Sequence, residues 1–334
     1  MIDVLRLTRE LIDMPSVTGE EFQIGTSLGE LLNRLGYHVE LQDVSPERSN
    51  VIATTEAKPR LVFSTHMDTV PPFIASSEDG EFIYGRGACD AKGIITAQIA
   101  AAERLRAEGI KEIGLLFTVD EEVTSAGAKI ANDHPLAVGC EYLINGEPTD
   151  NQLAIGTKGS LQVTIRARGR AAHSAYPEQG ESAIETLLDI LADIRQIDWP
   201  RDDLFSETTA NIGVISGGTR ANVIPSEAQA TIQIRLSVAA DRAKELLEQA
   251  IAGRASIEYK SVHDPVRLMT IDGIEQMLAR FTTDIPYLSN WGTPLLIGPG
   301  SILVAHTDHE RMRKQELLDA VDLYVSLAKN LLHK

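Results

Sequence analysis

Cysteine is scarce, with two residues, Cys89 and Cys140, in a chain of 334. A protein of this size needs no disulfide scaffold, so the pair reads as reduced thiols of a cytoplasmic protein. Long apolar runs are missing as well. The nearest to one, Ile94 to Ala102, is broken by Thr96 and Gln98 and is too short to cross a bilayer. The start, Met1-Ile2-Asp3-Val4, carries no basic stretch ahead of an apolar one, so no secretory signal is read. Positive charge is in deficit: 31 Lys and Arg against 48 Asp and Glu give a formal charge of −17. Approach to nucleic acid or to an anionic membrane would begin with repulsion, which excludes both as partners. The remaining composition, 43% hydrophobic and 24% charged, is that of a globular chain with ample core material for one large or two medium domains.

The first 150 residues alternate helical and strand patterns. Val4, Leu5, Leu7, Leu11 and Ile12 predict a helix over 3–14, and Phe22, Ile24, Leu28, Leu31, Leu32 and Leu35 predict another over 20–35, stopped by Gly36. Short apolar runs at 61–65, 113–119 and 142–144 predict strands, with a helix from Lys92 to Glu108 between the first two. Strands alternating with helices indicate an α/β unit on a largely parallel sheet. Near 155 the pattern changes. Strand, helix, two strands, helix and strand follow at about 161–167, 181–197, 210–215, 228–236, 241–252 and 255–259. That β-α-β-β-α-β order is ferredoxin-like. The expected organisation is a catalytic domain of 1–154 and 266–334, with 155–265 as an inserted lid or dimerisation domain. A strand at 295–297 and a helix at 313–332 return the chain to the first domain.

Acidic and histidine side chains collect at strand ends. The strand at 61–65 runs into His66-Met67-Asp68, that at 113–119 into Asp120-Glu121-Glu122, and that at 142–144 into Gly146-Glu147-Pro148. The strand at 295–297 leads through Gly298-Pro299-Gly300-Ser301 to His306. The carboxyl ends of parallel strands share one edge of the sheet, where ligands bind. Asp90 reaches the same edge through the glycine-rich turn Gly85 to Gly93, where it reads either as a helix cap or as a ligand. The glycine spacing there matches neither a Walker loop nor a dinucleotide fingerprint. Imidazoles and carboxylates without thiolate suit Zn²⁺, Co²⁺ or Mn²⁺. The donors exceed what one tetrahedral ion needs, and two ions sharing a carboxylate would use them all. His66 and Asp68, two apart on extended chain, point the same way, so the carboxylate is expected behind the imidazole. Glu121 and Glu122 diverge, one to coordinate and one to serve as general base, with the assignment open on spacing alone.

These segments, together with Thr65 to Pro71, Thr149 and Ala305-His306, resemble the M20 family of metallopeptidases and deacylases. The match runs in order over nearly the whole chain. Thr283 to Leu288, Gly298 to Ile302 and Glu310 are most similar to the acetylornithine deacetylase and succinyl-diaminopimelate desuccinylase branch. The resemblance implies Asp90 as the bridging ligand, His66 and Glu147 on one metal, and Glu122 and His306 on the other. It implies Glu121 as general base and Asp68 as the partner of His66. His309 then reads as a surface residue. In the inserted domain it implies that His173 stabilises the oxyanion in a partner subunit's active site, and hence a homodimer. Asn222 and Arg235 would hold the substrate carboxylate, with Gly218 in the turn that lets backbone approach it. A guanidinium suits that task because it can pair bidentately.

Two positions depart from the family pattern: Gln233 stands where an acidic residue is common, and 262–284 is short, with room for a helix only from Ile271 to Phe281. The activity implied is amide hydrolysis of an N-acylated amino acid by a water held between two metals. N-acetylornithine deacetylation in arginine biosynthesis is the leading expectation. N-succinyl-diaminopimelate, N-acetyl-lysine or a short peptide is the alternative. An acidic exterior modestly favours a cationic substrate side chain, within the limits of screening.

Overall fold

The Leu61–His66 strand sends alternate side chains into two packed layers, and this sets the plan of the first unit. Leu61 and Phe63 join the larger core with Val51, Ala53, Leu115 and Phe117. Val62, Ile52, Leu116 and Leu143 face a smaller core on the other side. A strand's period of two produces this division, and burial on both faces is why these strands read as unbroken apolar runs. The computed structural model describes residues 2–333. They form two compact units, one of Met1–Ile155, Leu268–Met277 and Thr283–Lys334, the other of Gly156–Arg267 and Leu278–Thr282.

The main sheet of the first unit has six strands in the order His38–Ser45, Arg48–Thr54, Ile113–Thr118, Leu61–His66, Tyr142–Asn145, Thr293–Leu296. The last four are mutually parallel, and the first two form an antiparallel hairpin along one edge. Helices Val4–Ile12, Phe22–Arg34, Lys92–Ala107 and Lys314–Leu332 supply the larger core. Asp3 caps the first of them by accepting from the Arg6 amide. The Lys92–Ala107 helix is buried almost all round, and so it lacks a polar stripe. Tyr324 packs edge-on against Phe63 and donates its hydroxyl to the Ile297 carbonyl at 2.8 Å.

The second unit is an antiparallel sheet in the order Thr209–Gly217, Glu227–Leu236, Gly159–Arg168, Ser256–His263. Leu161, Val163, Ile165, Ala230, Ile232 and Ile234 face helices Ala183–Arg195 and Ala240–Ile251. The chain order is the ferredoxin-like one, and the whole is an α/β fold with an α+β insertion.

Two segments differ from expectation. No helix forms over 271–281; Gln276–Ala279 is a short strand. Its neighbours bond to the Leu153–Thr157 strand, Leu153 N–H to the Glu275 carbonyl and Lys158 N–H to the Ala279 carbonyl. That ladder outweighs a weak helical period interrupted by Gly273. The hairpin at 38–54 leaves no periodic signal in the sequence, because its outer strand is largely exposed and carries no apolar run. Among the described residues no helix is long and apolar enough to cross a membrane. Both cysteines are free and buried.

Candidate metal centre

Four parallel strands of the first unit deliver chemistry to one edge because glycine permits close approach there. A Cβ on Gly146 would collide with Ile94 and Gln98, and one on Gly298 with the Glu147 carbonyl. Buried polar contacts lock the strand ends: Thr65 Oγ1 donates to the Gly146 carbonyl at 2.8 Å, and Gln98 Nε2 to the Ser64 carbonyl at 2.9 Å.

The Asp90 carboxylate lies at the centre. Its Oδ1 is 2.9 Å from His66 Nε2, and its Oδ2 is 3.2 Å from His306 Nε2. Glu147 Oε2 stands 4.0 Å from His66 Nε2, and Glu122 Oε1 stands 3.0 Å from His306 Nε2. Each oxygen of the Asp90 carboxylate thus faces its own imidazole, and each imidazole has a second carboxylate within 4.0 Å. His66, Asp90 and Glu122 offer donor atoms all within 4.8 Å of one another. His66 is buried, whereas the His306 side chain is 48% exposed, so the site opens on the His306 side. His306 and Asp120 both have left-handed backbone, with φ of 62° and 69°. Such conformations cost energy in non-glycine residues and collect at functional sites.

The electrostatics of this set call for cations. Burial pushes the Glu121 carboxyl well above its usual range, and the Glu147 carboxylate adds to the push. Burial raises Glu147 in the same way. Burial also acts on Asp90, but the two imidazoles outweigh it and hold the carboxyl low. His66 is pulled down by burial, yet Asp68, Asp90 and Glu147 raise it well above an ordinary imidazole. Hydrogen bonds to Asp90 and Glu122 lift His306 to about 10. Glu147 Oε1 is buried without a hydrogen-bond partner among the described residues, which a divalent cation would correct. The donor set gathered around Asp90, with His66 and Glu122 close enough to share one ion, therefore fits divalent cations.

The structure revises one expected contact. The His66 Nδ1 partner is the Asp68 backbone carbonyl at 2.9 Å, and the Asp68 carboxylate is 3.6 Å away. That carboxylate instead accepts the amides of Glu121 at 3.1 Å and Glu122 at 3.2 Å, and the Thr18 hydroxyl at 2.8 Å. Asp68 thereby aims both glutamates, and the carbonyl fixes the imidazole. His309 is exposed.

Two further acidic residues emerge. Glu310 is 2% exposed; its Oε1 accepts from the amides of Gly87 at 2.9 Å, Cys89 at 3.3 Å and Asp90 at 3.2 Å. Its Oε2 pairs with Arg86 at 2.7 Å. It ties the His306 loop to the turn that carries Asp90. Only its spacing from His306 had marked it. Asp284 is buried, accepts from Thr118 Oγ1 at 2.7 Å, is pushed up to about 6 by burial, and its charge bears on Glu121 and Glu147.

The other expected residues belong to the second unit. His173 is exposed; its loop pairs with that of Asn222, the Ser174 amide donating to the Asn222 carbonyl at 3.1 Å. His173 Nδ1 accepts from the Ala175 amide at 3.2 Å. The neutral ring therefore carries its proton on Nε2, as a donor. Gly218 has φ of 73°. Arg235 is half-buried on the polar face of the sheet, where Gln233 donates to Ser160 Oγ at 2.7 Å. Arg235 has no ion pair among the described residues, and burial lowers its pKa.

The family described as "Peptidase dimerisation domain" matches residues 155–261. A "Peptidase M20 domain-containing protein" of Schizosaccharomyces pombe is 36% identical, over 96% of this chain and 83% of the relative. A "Probable carboxypeptidase" of Aspergillus niger is 34% identical, over 97% of this chain and 88% of the relative. The crystal structure of aminopeptidase PepT from Bacillus cereus shares the fold with a TM-score of 0.79 at 23% identity, covering 97% of this chain and 96% of that one. The chain is a member of the M20 family of peptidases, metal-dependent hydrolases with a dimerisation domain.

Proposed function

We propose that the protein hydrolyses the amide joining an acyl group to the α-nitrogen of an amino acid whose α-carboxylate is free. N-acetylornithine is the substrate favoured by the resemblance of 283–288 and 298–310. The C-terminal bond of a short peptide is the second reading, favoured by relatives such as the probable carboxypeptidase of Aspergillus niger. Both share one bond type and one recognition element. The observation that carries the proposal is the division of the Asp90 oxygens between two imidazoles, with the half-buried Glu121 held next to Glu122.

His66, Asp90, Glu147, Glu122 and His306 would hold two divalent ions, Zn²⁺ by donor type, with Co²⁺ or Mn²⁺ also suited. When bound, such ions acidify water and polarise a carbonyl. Glu121 takes a proton from the attacking water as its oxygen bonds to the amide carbon. The same carboxyl then protonates the nitrogen as the C–N bond breaks, leaving a carboxylic acid and a free amine. Asp68 keeps Glu121 on target through the backbone amides. His173 Nε2–H, supplied across a homodimer, is a suitable donor for the developing oxyanion. The dimerisation-domain match supports that assembly, as do Val214 and Ile215, 57% and 55% exposed on the unpaired edge strand Thr209–Gly217. Arg235, a half-buried cation without an ion pair among the described residues, suits the α-carboxylate, with Asn222 and Gly218 in support. Two free, buried thiols accord with the cytoplasm.

The test is a panel assay on metal-reconstituted protein with N-acetyl-L-ornithine, N-acetyl-L-lysine, N-succinyl-diaminopimelate, dipeptides and the matching dipeptide amides. Hydrolysis confined to free carboxylates is expected. No hydrolysis with two ions bound, or equal cleavage of the blocked amides, would overturn the reading.

A further inference from the structure

The turn that presents Glu121 is poorly suited to hold itself. It leaves the Ile113–Thr118 strand and enters the Ala126–Ala131 helix through two left-handed non-glycine residues, Asp120 with φ of 69° and Ser125 with φ of 54°. Its interior is fastened by neighbours. Asp68 grips the Glu121 and Glu122 amides, and Arg48 pairs with Asp120 at 2.7 Å. Its strand end is held by a residue far away in sequence: Thr118 Oγ1 donates to Asp284 Oδ2 at 2.7 Å.

Asp284 is costly where it stands. It is 2% exposed, its Oδ1 has no hydrogen-bond partner among the described residues, and it feels the charge of Asp68 while its own bears on Glu121 and Glu147. A buried carboxylate left half-satisfied among other carboxylates is a poor architectural choice. A neutral amide would be cheaper to bury, but it would give up the charge-assisted hydrogen bond that grips Thr118. The arrangement is explained if the carboxylate serves the turn it clamps.

We infer that Asp284 is a positioning residue for the hydrolytic reaction, fixing through Thr118 the strand end of the turn that aims Glu121. The inference rests on Glu121 being the base. It separates two functions of the loops around the centre. Glu310 organises the turn that bears the shared ligand Asp90, whereas Asp284 organises the turn that bears the proton-transfer group. Loss of the Asp284 clamp acts on the proton-transfer step and leaves substrate and metal binding in place.

The experiment compares Asp284→Asn, Thr118→Val and the double variant, with metal content, unfolding temperature, kcat and KM measured on each. The assay uses whichever probe of the panel the wild type turns over fastest. Asp284→Asn is expected to lower kcat about 10- to 100-fold, as sub-ångström misplacement of a catalytic group does. KM and two bound metals are retained. Thr118→Val, the milder change, lowers kcat in the same sense, and the double variant is no worse than Asp284→Asn alone. Wild-type kcat in Asp284→Asn, a loss confined to KM or metal content, or fully additive losses would overturn the inference. Full activity in Glu121→Gln would instead overturn the choice of base, so the two failures are distinguishable.

Discussion

Replacing Glu310 by Gln should destabilise the metal-free protein and weaken its hold on metal, by an amount that follows from the contacts. The Glu310 carboxylate serves two sides at once, Arg86 at 2.7 Å on Oε2 and the amides of Gly87, Cys89 and Asp90 on Oε1. Glutamine has the same size but only one acceptor oxygen. Whichever way the amide turns, its NH₂ must face a donor. If it faces Arg86, a guanidinium 2% exposed loses its counter-charge, and breaking such a buried pair costs about 3–5 kcal/mol. If it faces the backbone, three amides lose a charged acceptor, at about 1.5–3 kcal/mol for a hydrogen bond of that kind. The lower bound of about 3 kcal/mol corresponds to a fall in melting temperature on the order of 6–12 °C for a unit of this size. Calorimetry on metal-free protein is the right assay, because bound metal would mask the loss by mass action. Isothermal titration with Zn²⁺ reports the second effect, since the Asp90 amide is one of the released donors. A melting shift below about 2 °C with unchanged metal affinity would refute the reasoning.

Asp90→Asn should remove metal from both positions, because each oxygen of the carboxylate faces a different imidazole; elemental analysis after dialysis against Zn²⁺ should give less than one ion per chain. Arg235→Lys should raise KM about tenfold or more with little change in kcat, since an ammonium cannot reproduce bidentate pairing with a carboxylate. Steady-state kinetics with the preferred probe checks this, and an unchanged KM would remove Arg235 from the substrate site. Both thiols should resist a disulfide reagent in the native protein at pH 8. Cys89 and Cys140 are buried, and burial pushes the Cys140 thiol up to about 11. Two thiols should appear only on denaturation.

Much of the fold is legible because its elements are buried on predictable faces. The parallel strands read as apolar runs, and the sheet's carboxyl edge follows from where those runs meet His66, Glu121, Glu147 and His306. Failures fall where tertiary context decides. Gln276–Ala279 is a strand because a neighbouring strand offers it partners, and the exposed strand at 38–45 carries no core pattern to read. At the centre, the ligand donors are visible as residue types at strand ends, but their supports are not. Asp68 was expected to serve His66 with its carboxylate; it serves the amides of Glu121 and Glu122, a contact made only once two strands lie side by side. Asp284 and Glu310 reach partners more than 160 and 220 positions away, beyond any local spacing rule.

The most direct test of the central claim is the turnover of Glu121→Gln measured on protein whose metal content is determined in the same sample. Glu121 is placed as the proton carrier, not as a donor to either ion. The account therefore predicts two ions bound per chain and hydrolysis reduced on the order of 10²–10⁴-fold, the scale of general acid–base catalysis. Wild-type turnover with both ions in place would contradict it.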